Sequence, residues 1–337
     1  MVGKKIALIG GAGFIGHNLA MALKREGYEP FIVDGLAVNN LLSFIDSKVK
    51  QQKLYRAILN KRIDLMYENE IEINVQDARN YDALCLVLHK ANPDVIVQLA
   101  AVSHANFSNK DPHATFDHSL RTLENALDFS KSENSSVQHF IYFSSSMVYG
   151  HFEGKDVTEE TECRPIGIYG TLKYSGELIV KAYNQVFELP YTIIRPSALY
   201  GKRCVSRRVG QIFIENAVQG HDITINGDGS DRLDFTYLDD LVQGIIKVIE
   251  NENARNQIFN MTYGESRTIG ELAKILKDHF SGIEIHYKSK DKLTPDRGTL
   301  RVDKAKDLIG YDPRNPIEEG YPKYIQWYKK IWQKLAL

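Results

Sequence analysis

Gly10-Gly11-Ala12-Gly13-Phe14-Ile15-Gly16 stands between an apolar run, Lys5-Ile6-Ala7-Leu8-Ile9, and the stretch Asn18-Leu19-Ala20-Met21-Ala22-Leu23. The order reads as strand, glycine turn, helix. Each glycine has a physical task if the turn faces a pyrophosphate. Gly10 permits the tight turn off the strand, Gly13 leaves no side chain in the way of the phosphates, and Gly16 lets the helix pack close to the sheet. With Phe14 and Ile15 the turn opens the helix, whose free N–H groups and positive dipole end suit an anion. Three spaced glycines are a weak signal alone. At the start of a strand–helix unit they predict a dinucleotide site.

Asp34 ends the next apolar run, Phe31-Ile32-Val33, 18 residues after Gly16. A carboxylate there accepts bonds from adenosine ribose hydroxyls and repels a 2′-phosphate. Gly35 to Asn40 offer no Arg or Lys to hold such a phosphate. The expected cofactor is therefore NAD rather than NADP. Asp77, with Ala78, follows the third strand, where a side chain reaches an adenine. Leu99, Ala100 and Ala101 end the fourth strand, 93–99, and their small side chains let backbone approach the cofactor. His139 to Phe143 reads as the fifth strand and runs into Ser144-Ser145-Ser146. Short apolar strands alternating with helices predict a parallel sheet covered on both faces.

The connection 41–70 is longer than a crossover needs, about a dozen residues being enough. Leu54, Ile58, Leu59, Ile63 and Met66 recur at helical spacing, interleaved with Lys53, Arg56, Lys61 and Arg62. The pattern predicts an extra amphipathic helix packed on the rim, its basic residues forming a solvated face; a role in covering the substrate, or a contact of those residues with a phosphate, is the alternative.

Bulk properties bound the function. The chain has 337 residues, enough for two joined lobes and a large core. Its net charge of −1 gives no general affinity for nucleic acid or an anionic membrane. Cys85, Cys163 and Cys204 are scattered and lack metal-ligand spacing, so reduced thiols and no metal are expected. The first strand begins too early to leave room for a signal peptide, and no apolar run is long enough to span a bilayer. These features point to a cytoplasmic enzyme or binding protein.

Tyr169 and Lys173 lie four apart on a predicted helix that runs to about Phe187, so both side chains face one site. A lysine there can hold the cofactor ribose and lower the Tyr169 pKa by its charge. A tyrosine so tuned serves as a general base toward a sugar hydroxyl. Ser145, at a strand end, is placed to bond the same oxygen. Tyr-x-x-x-Lys arises about once by chance in a chain with this many tyrosines. The order gives it weight: glycine turn, Asp34, serine-rich strand end, then Tyr169 and Lys173, 24 and 28 residues after Ser145.

With Arg195-Pro196, Tyr200-Gly201, Asp234-Phe235-Thr236-Tyr237-Leu238-Asp239-Asp240 and Leu308-Ile309-Gly310-Tyr311, these motifs run almost the length of the chain. In them the chain resembles an extended short-chain dehydrogenase/reductase of the NAD-dependent epimerase/dehydratase family, which acts on nucleotide sugars. The resemblance implies a Rossmann-type doubly wound parallel sheet with a smaller α/β C-terminal substrate lobe. Residues 1–196 with about 234–262 would bind NAD; about 197–233 with 263–337 would bind the nucleotide sugar, with UDP favoured. Ser144 and Pro196 join the implied cofactor set. Ser103, Ser145, Ser146, Met147, Arg208, Gln211, Arg232 and Arg297 form the implied substrate set. The resemblance further implies a homodimer through helices at about 113–133 and 168–188.

Related 4,6-dehydratases carry Asp-Glu where this chain has Ser146-Met147, and related decarboxylases carry Glu at Met147. Neither present side chain can serve as the acid or base of an elimination. The remaining pattern is that of 4-epimerases acting on UDP-hexoses and UDP-hexuronates. A nucleotide-sugar ketoreductase or dehydrogenase, a C2-epimerase, and a non-catalytic NAD-binding regulator are the alternatives. Three departures mark a subgroup: Ser197-Ala198-Leu199 in place of a familiar Asn, Leu233 where an Arg is usual with Arg232 one place earlier, and Ser119 and Thr122 in place of Asn and Gly. Lys202, Arg203, Arg207 and Arg208 are four cations within seven residues. They suit a diphosphate or a sugar carboxylate. Val209–Val218 reads as a helix, 222–226 as a strand, and 317–335 as a closing helix whose Trp327 and Trp332 serve packing.

Overall fold

A computed structural model describes residues 3–44, 51–102, 105–290 and 295–335. Six strands come first in chain order: β1 (Lys5–Ile9), β2 (Glu29–Val33), β3 (Glu72–Asn74), β4 (Val95–Gln98), β5 (His139–Phe143) and β6 (Tyr191–Arg195). Four short ones follow: β7 (Leu199–Tyr200), β8 (Ile223–Asn226), β9 (Arg232–Leu233) and β10 (Thr236–Tyr237). The last three are β11 (Gln257–Asn260), β12 (Arg267–Thr268) and β13 (Ile285–Lys288).

Seven strands form one sheet in the order β11-β6-β5-β4-β1-β2-β3, with every neighbouring pair parallel. The chain direction across the sheet reverses between β1 and β4. In an open α/β sheet a ligand crevice forms at that switch, outside the carboxyl ends of the strands. The expected Rossmann-type fold is the observed one.

The strands are apolar throughout because helices cover both faces. In β1, Ile6 and Leu8 enter one core with Leu19, Leu23, Leu241 and Ile245, while Ala7 and Ile9 enter another with Leu84, Leu88 and Leu123. Successive side chains point to opposite faces, so one strand feeds both cores. A third core gathers Tyr200, Phe213, Ile214, Ile223, Leu272 and Tyr324 from the later chain. Around it lie the small pairings β8–β13, β9–β12 and β7–β10.

The helices Val209–Val218 and Gly167–Phe187 fall where the apolar spacing predicts them, as does the closing helix Ile317–Lys334. The predicted helix 113–133 is present but interrupted: Pro112–Phe116 and Thr122–Ser130 are joined by a wide turn over Asp117–Arg121. Trp327 and Trp332 pack against the third core, as expected.

The connection after β2 departs from expectation. Its helix, Gln52–Glu68, forms as the periodicity predicts, but it is not peripheral. Leu54, Tyr55, Ile58 and Leu59 are buried in the third core and Met66 in the first. Arg62, expected on a solvated face, is only 1% exposed. Enough apolar area sits on one stripe of this helix to draw it between the two cores, which hydrophobic spacing alone does not reveal.

Candidate active site

The glycine turn takes the conformation its sequence demands. Gly10 has φ +80, and a Cβ there would lie 2.6 Å from the Ala100 nitrogen. Side chains are thus excluded by backbone conformation and by the approach of the β4 end together. The expectation for Gly16 needs correction. A Cβ at Gly16 would meet the Gly11 carbonyl oxygen at 2.3 Å, so the residue packs on the turn itself rather than on the sheet. The helix Phe14–Arg25 then starts directly after Gly13.

Around this turn a cavity of about 370 Å³ opens at the carboxyl ends of the strands. Every described residue expected to hold the cofactor lines it: Gly10, Gly13, Phe14, Ile15, Gly16 and Asp34 at one end, then Asp77, Ala78, Leu99, Ala100 and Ala101, with Ser144, Tyr169, Lys173 and Pro196 at the other. The ends of β1 to β6 and the helix Gly167–Phe187 supply these residues, which explains how positions so far apart in sequence meet.

Asp34 is held by two backbone donors. Ala12 N donates to Oδ2 at 2.9 Å and Leu36 N to Oδ1 at 2.7 Å. Each oxygen keeps a free lone pair, and burial pushes the carboxyl above its ordinary pKa. A ribose diol therefore finds two oriented acceptors, so the residues fit a dinucleotide. Asp77 is engaged by its neighbour: Arg79 donates to it from Nη2 at 2.6 Å and from Nε, which holds the carboxyl below its usual range.

At the opposite end the helix Gly167–Phe187 aligns Tyr169, Lys173 and Glu177 on one face, four residues apart. Gly176 lets the helix settle against β5, since a Cβ there would lie 2.2 Å from the Tyr142 hydroxyl oxygen. That closeness carries Lys173 Nζ to the Phe143 carbonyl, to which it donates at 2.6 Å. Burial lowers the Lys173 pKa to about 8, partly offset by the Glu177 carboxylate. Ser145 caps a turn over Ser146–Val148, its Oγ accepting from Met147 N at 3.2 Å. Ser145, Ser146, Met147, Tyr169 and Lys173 thus share one end of the cavity.

A second cavity, about 480 Å³, lies beside the first. Both are lined by Arg208 and Arg297. The Arg297 Nε is buried without a hydrogen-bond partner among the described residues. Burial and the neighbouring Arg208 charge lower its pKa to about 10. Arg207, Arg232, Lys288 and Lys290 also line the second cavity, with Asp231 the one carboxylate among the described lining residues; Lys290 pairs with Asp231 and Asp296, and Arg207 with Glu215. Such a wall suits a polyanion.

The remaining expected substrate residues are less direct. Arg232 lines the second cavity, but its guanidinium donates to Ser266, from Nε to Oγ at 3.0 Å and from Nη2 to the carbonyl at 2.7 Å. The Gln211 amide is also occupied: it accepts from Arg207 N and donates to Glu215. Ser103 lies outside the described residues. Sequence reasoning missed Asn109 and His118, and did not single out Arg62 from its basic neighbours; all three line the first cavity. None stands in a motif, and the helical spacing around Arg62 was the one available sign.

Comparison with known proteins agrees with this geometry. Residues 6–262 match the NAD dependent epimerase/dehydratase family. An uncharacterized UDP-glucose epimerase of Bacillus subtilis is 27% identical over 332 residues, covering 98% of this chain and 99% of that protein. UDP-glucuronate 4-epimerase 1 of Arabidopsis thaliana is 25% identical, over 97% of this chain and 77% of its own length. A mutant UDP-glucuronic acid 4-epimerase from Bacillus cereus, in complex with UDP-4-deoxy-4-fluoro-glucuronic acid and NAD, superposes with a TM-score of 0.86 at 25% identity, covering 97% of this chain and 99% of that one. The match spans most of the sequence, and the protein belongs to the NAD dependent epimerase/dehydratase family, with NAD as its cofactor.

Proposed function

We propose that this protein is a nucleotide-sugar epimerase that inverts C4 of a UDP-hexose or UDP-hexuronate through a transient 4-keto sugar. The observation that carries the reading is the convergence of Ser145, Tyr169 and Lys173 on one cavity, with Met147 at the same end. Bound at the strand ends, NAD supplies the hydride acceptor and donor. Tyr169 takes the proton of the sugar O4–H and returns it once the configuration is inverted. Ser145 hydrogen-bonds that oxygen and orients it. Lys173 holds the cofactor ribose and adds positive charge beside the Tyr169 oxygen. Ser146 and Met147 do not form the acid–base pair that would divert a keto sugar into loss of water.

Cofactor binding is assigned to Gly10, Gly13, Phe14, Ile15, Gly16, Asp34, Asp77, Ala78, Leu99, Ala100, Ala101, Ser144, Tyr169, Lys173 and Pro196. The sugar diphosphate is assigned to Arg208 and Arg297, because both border both cavities. Gln211 and Arg232 shape the second cavity, and Ser103, Ser146 and Met147 complete the sugar site. Residues 1–196 with about 234–262 are assigned to the NAD lobe, and about 197–233 with 263–337 to the nucleotide-sugar lobe. The wall of cations in the second cavity supports that division.

The protein is further proposed to act as a cytoplasmic homodimer. Leu178, Val186 and Phe187 are 50%, 68% and 46% exposed on the helix Gly167–Phe187, a large apolar display for a water-facing surface. The helices Ala105–Lys110 and Thr122–Ser130 pack along this one. Light scattering on the purified protein should give twice the mass of one chain; a monomer overturns the assembly.

The activity is tested by incubating the protein with UDP-, GDP-, CDP- and dTDP-sugars without added cofactor. Formation of the C4 epimer of one UDP-sugar supports the reading. Strict dependence on added NADH or NADPH, with net oxidation of it, would replace it with a reductase.

A further inference from the structure

The helix Gln52–Glu68 is locked in rotation by its own polar contacts. Tyr55 donates its hydroxyl to the buried Glu215 carboxylate, 2.7 and 2.8 Å from the two oxygens. Glu215 also accepts from the Tyr328 hydroxyl at 3.0 Å. Tyr55, Ile58 and Arg62 are spaced three and four apart, so one face carries all three inward. Arg62 ends that stripe at the wall of the first cavity, in company with Gly13, Phe14 and Asp34.

The Arg62 guanidinium is incompletely satisfied. Its Nε and Nη2 both donate to the carbonyl oxygen of Arg203, Nε at 3.1 Å. Its Nη1 is buried and has no hydrogen-bond partner among the described residues. No carboxylate forms an ion pair with it among the described residues. Asp34 attracts it from a distance but has each oxygen on a backbone N–H. Arg203 adds a like charge nearby, and burial lowers the Arg62 pKa to about 10. A buried cation with an idle donor is costly unless an anion completes it.

We propose that Arg62 is a cofactor-binding residue, donating from Nη1 to the adenosine diphosphate half of NAD. The pyrophosphate above the glycine turn would supply the paired negative charge that Arg62 lacks among the described residues. Gly35 to Asn40 contain no cation, and this one arrives from 28 residues beyond Asp34 by tertiary packing. The Arg62 hold on the Arg203 carbonyl also ties the cofactor to the segment that bears Arg208. The long connection thereby becomes part of the NAD site rather than an ornament on the rim. The inference rests on the cofactor site proposed above.

The test compares wild type, Arg62→Met and Arg62→Lys. NAD released on heat denaturation is counted per chain, and affinities for ADP-ribose and for UDP are measured by calorimetry. Loss of a charge-assisted bond predicts ADP-ribose affinity at least about tenfold weaker in Arg62→Met, with partial recovery in Arg62→Lys. UDP affinity should stay within about twofold of wild type. An Arg62→Met protein with unchanged ADP-ribose affinity overturns the proposal. So does equal loss of ADP-ribose and UDP binding with a lower melting temperature, which would make Arg62 a strut for the Arg203 carbonyl only. A wild type that binds neither NAD nor ADP-ribose overturns the cofactor site itself, and the Arg62 assignment with it.

Discussion

Glu177 and Arg195 form a buried two-pronged ion pair. Arg195 donates from Nη2 to Glu177 Oε2 at 2.6 Å and from Nε to Oε1 at 2.9 Å, with the side chains 2% and 0% exposed. The Ser144 hydroxyl donates to the same carboxylate at 2.5 Å. Glu177 lies one helical turn beyond Lys173, so this pair fixes the helix that carries Tyr169 and Lys173 to the end of β6. Removing one partner leaves the other charged and buried. Glu177→Gln is expected to lose about 3–5 kcal/mol of stability in urea denaturation, while a double exchange to Met at both positions recovers a large part. A Glu177→Gln loss below about 1 kcal/mol would show that water reaches the pair.

Tyr169→Phe removes the proton acceptor without changing the shape of the site. Turnover of the true substrate should fall by about 10²–10⁴-fold. NAD content per chain should remain that of wild type, because the phenol is not needed to seat the dinucleotide. Near-normal turnover in the variant would remove Tyr169 from the mechanism.

Lys173 gives a pH signature. Its folded pKa, about 8, lies below the ordinary 10.5. Between these values the unfolded chain binds more protons than the folded one, so stability rises with pH across that window. Below about 8 both states are protonated and the cost of the buried charge is constant. The stability advantage of Lys173→Met over wild type, measured in urea at several pH values, should therefore shrink from pH 8 toward 10.5. A constant difference would mean that Lys173 titrates as an exposed lysine does.

Arg297 tests the substrate end. Its buried, unpartnered Nε borders both cavities. Arg297→Gln should raise KM for the nucleotide sugar by about 10–100-fold while kcat changes little, the pattern of lost uniform binding. A fall in kcat at unchanged KM would instead put Arg297 at the reacting carbon.

Local chemistry was enough for the turn and the strand ends. The Gly10 turn needs a positive φ, Asp34 stands at the end of its own apolar strand, and Tyr169 and Lys173 share a face through helix periodicity alone. The parallel sheet follows from strands apolar on both faces, as in β1. These features act over a few residues, so the sequence by itself determined them. Gly16 was misread because its tight neighbour, Gly11, belongs to the turn and not to a strand.

Tertiary structure alone decided what long-range packing controls. Arg62 reads as one more surface cation until the burial of Tyr55 and Ile58 turns its face inward. Arg232 matches a diphosphate ligand until Ser266 takes its guanidinium. Arg297 acquires its place between two cavities only when the late segment folds back over the strand ends. The physical reason is common to these arginines: a long polar side chain is assigned by whichever groups reach it, and those lie 34 residues away for Arg232 and 141 for Arg62. The glycine turn is written in its own seven residues; the cations that complete an anion site around it are chosen by the fold.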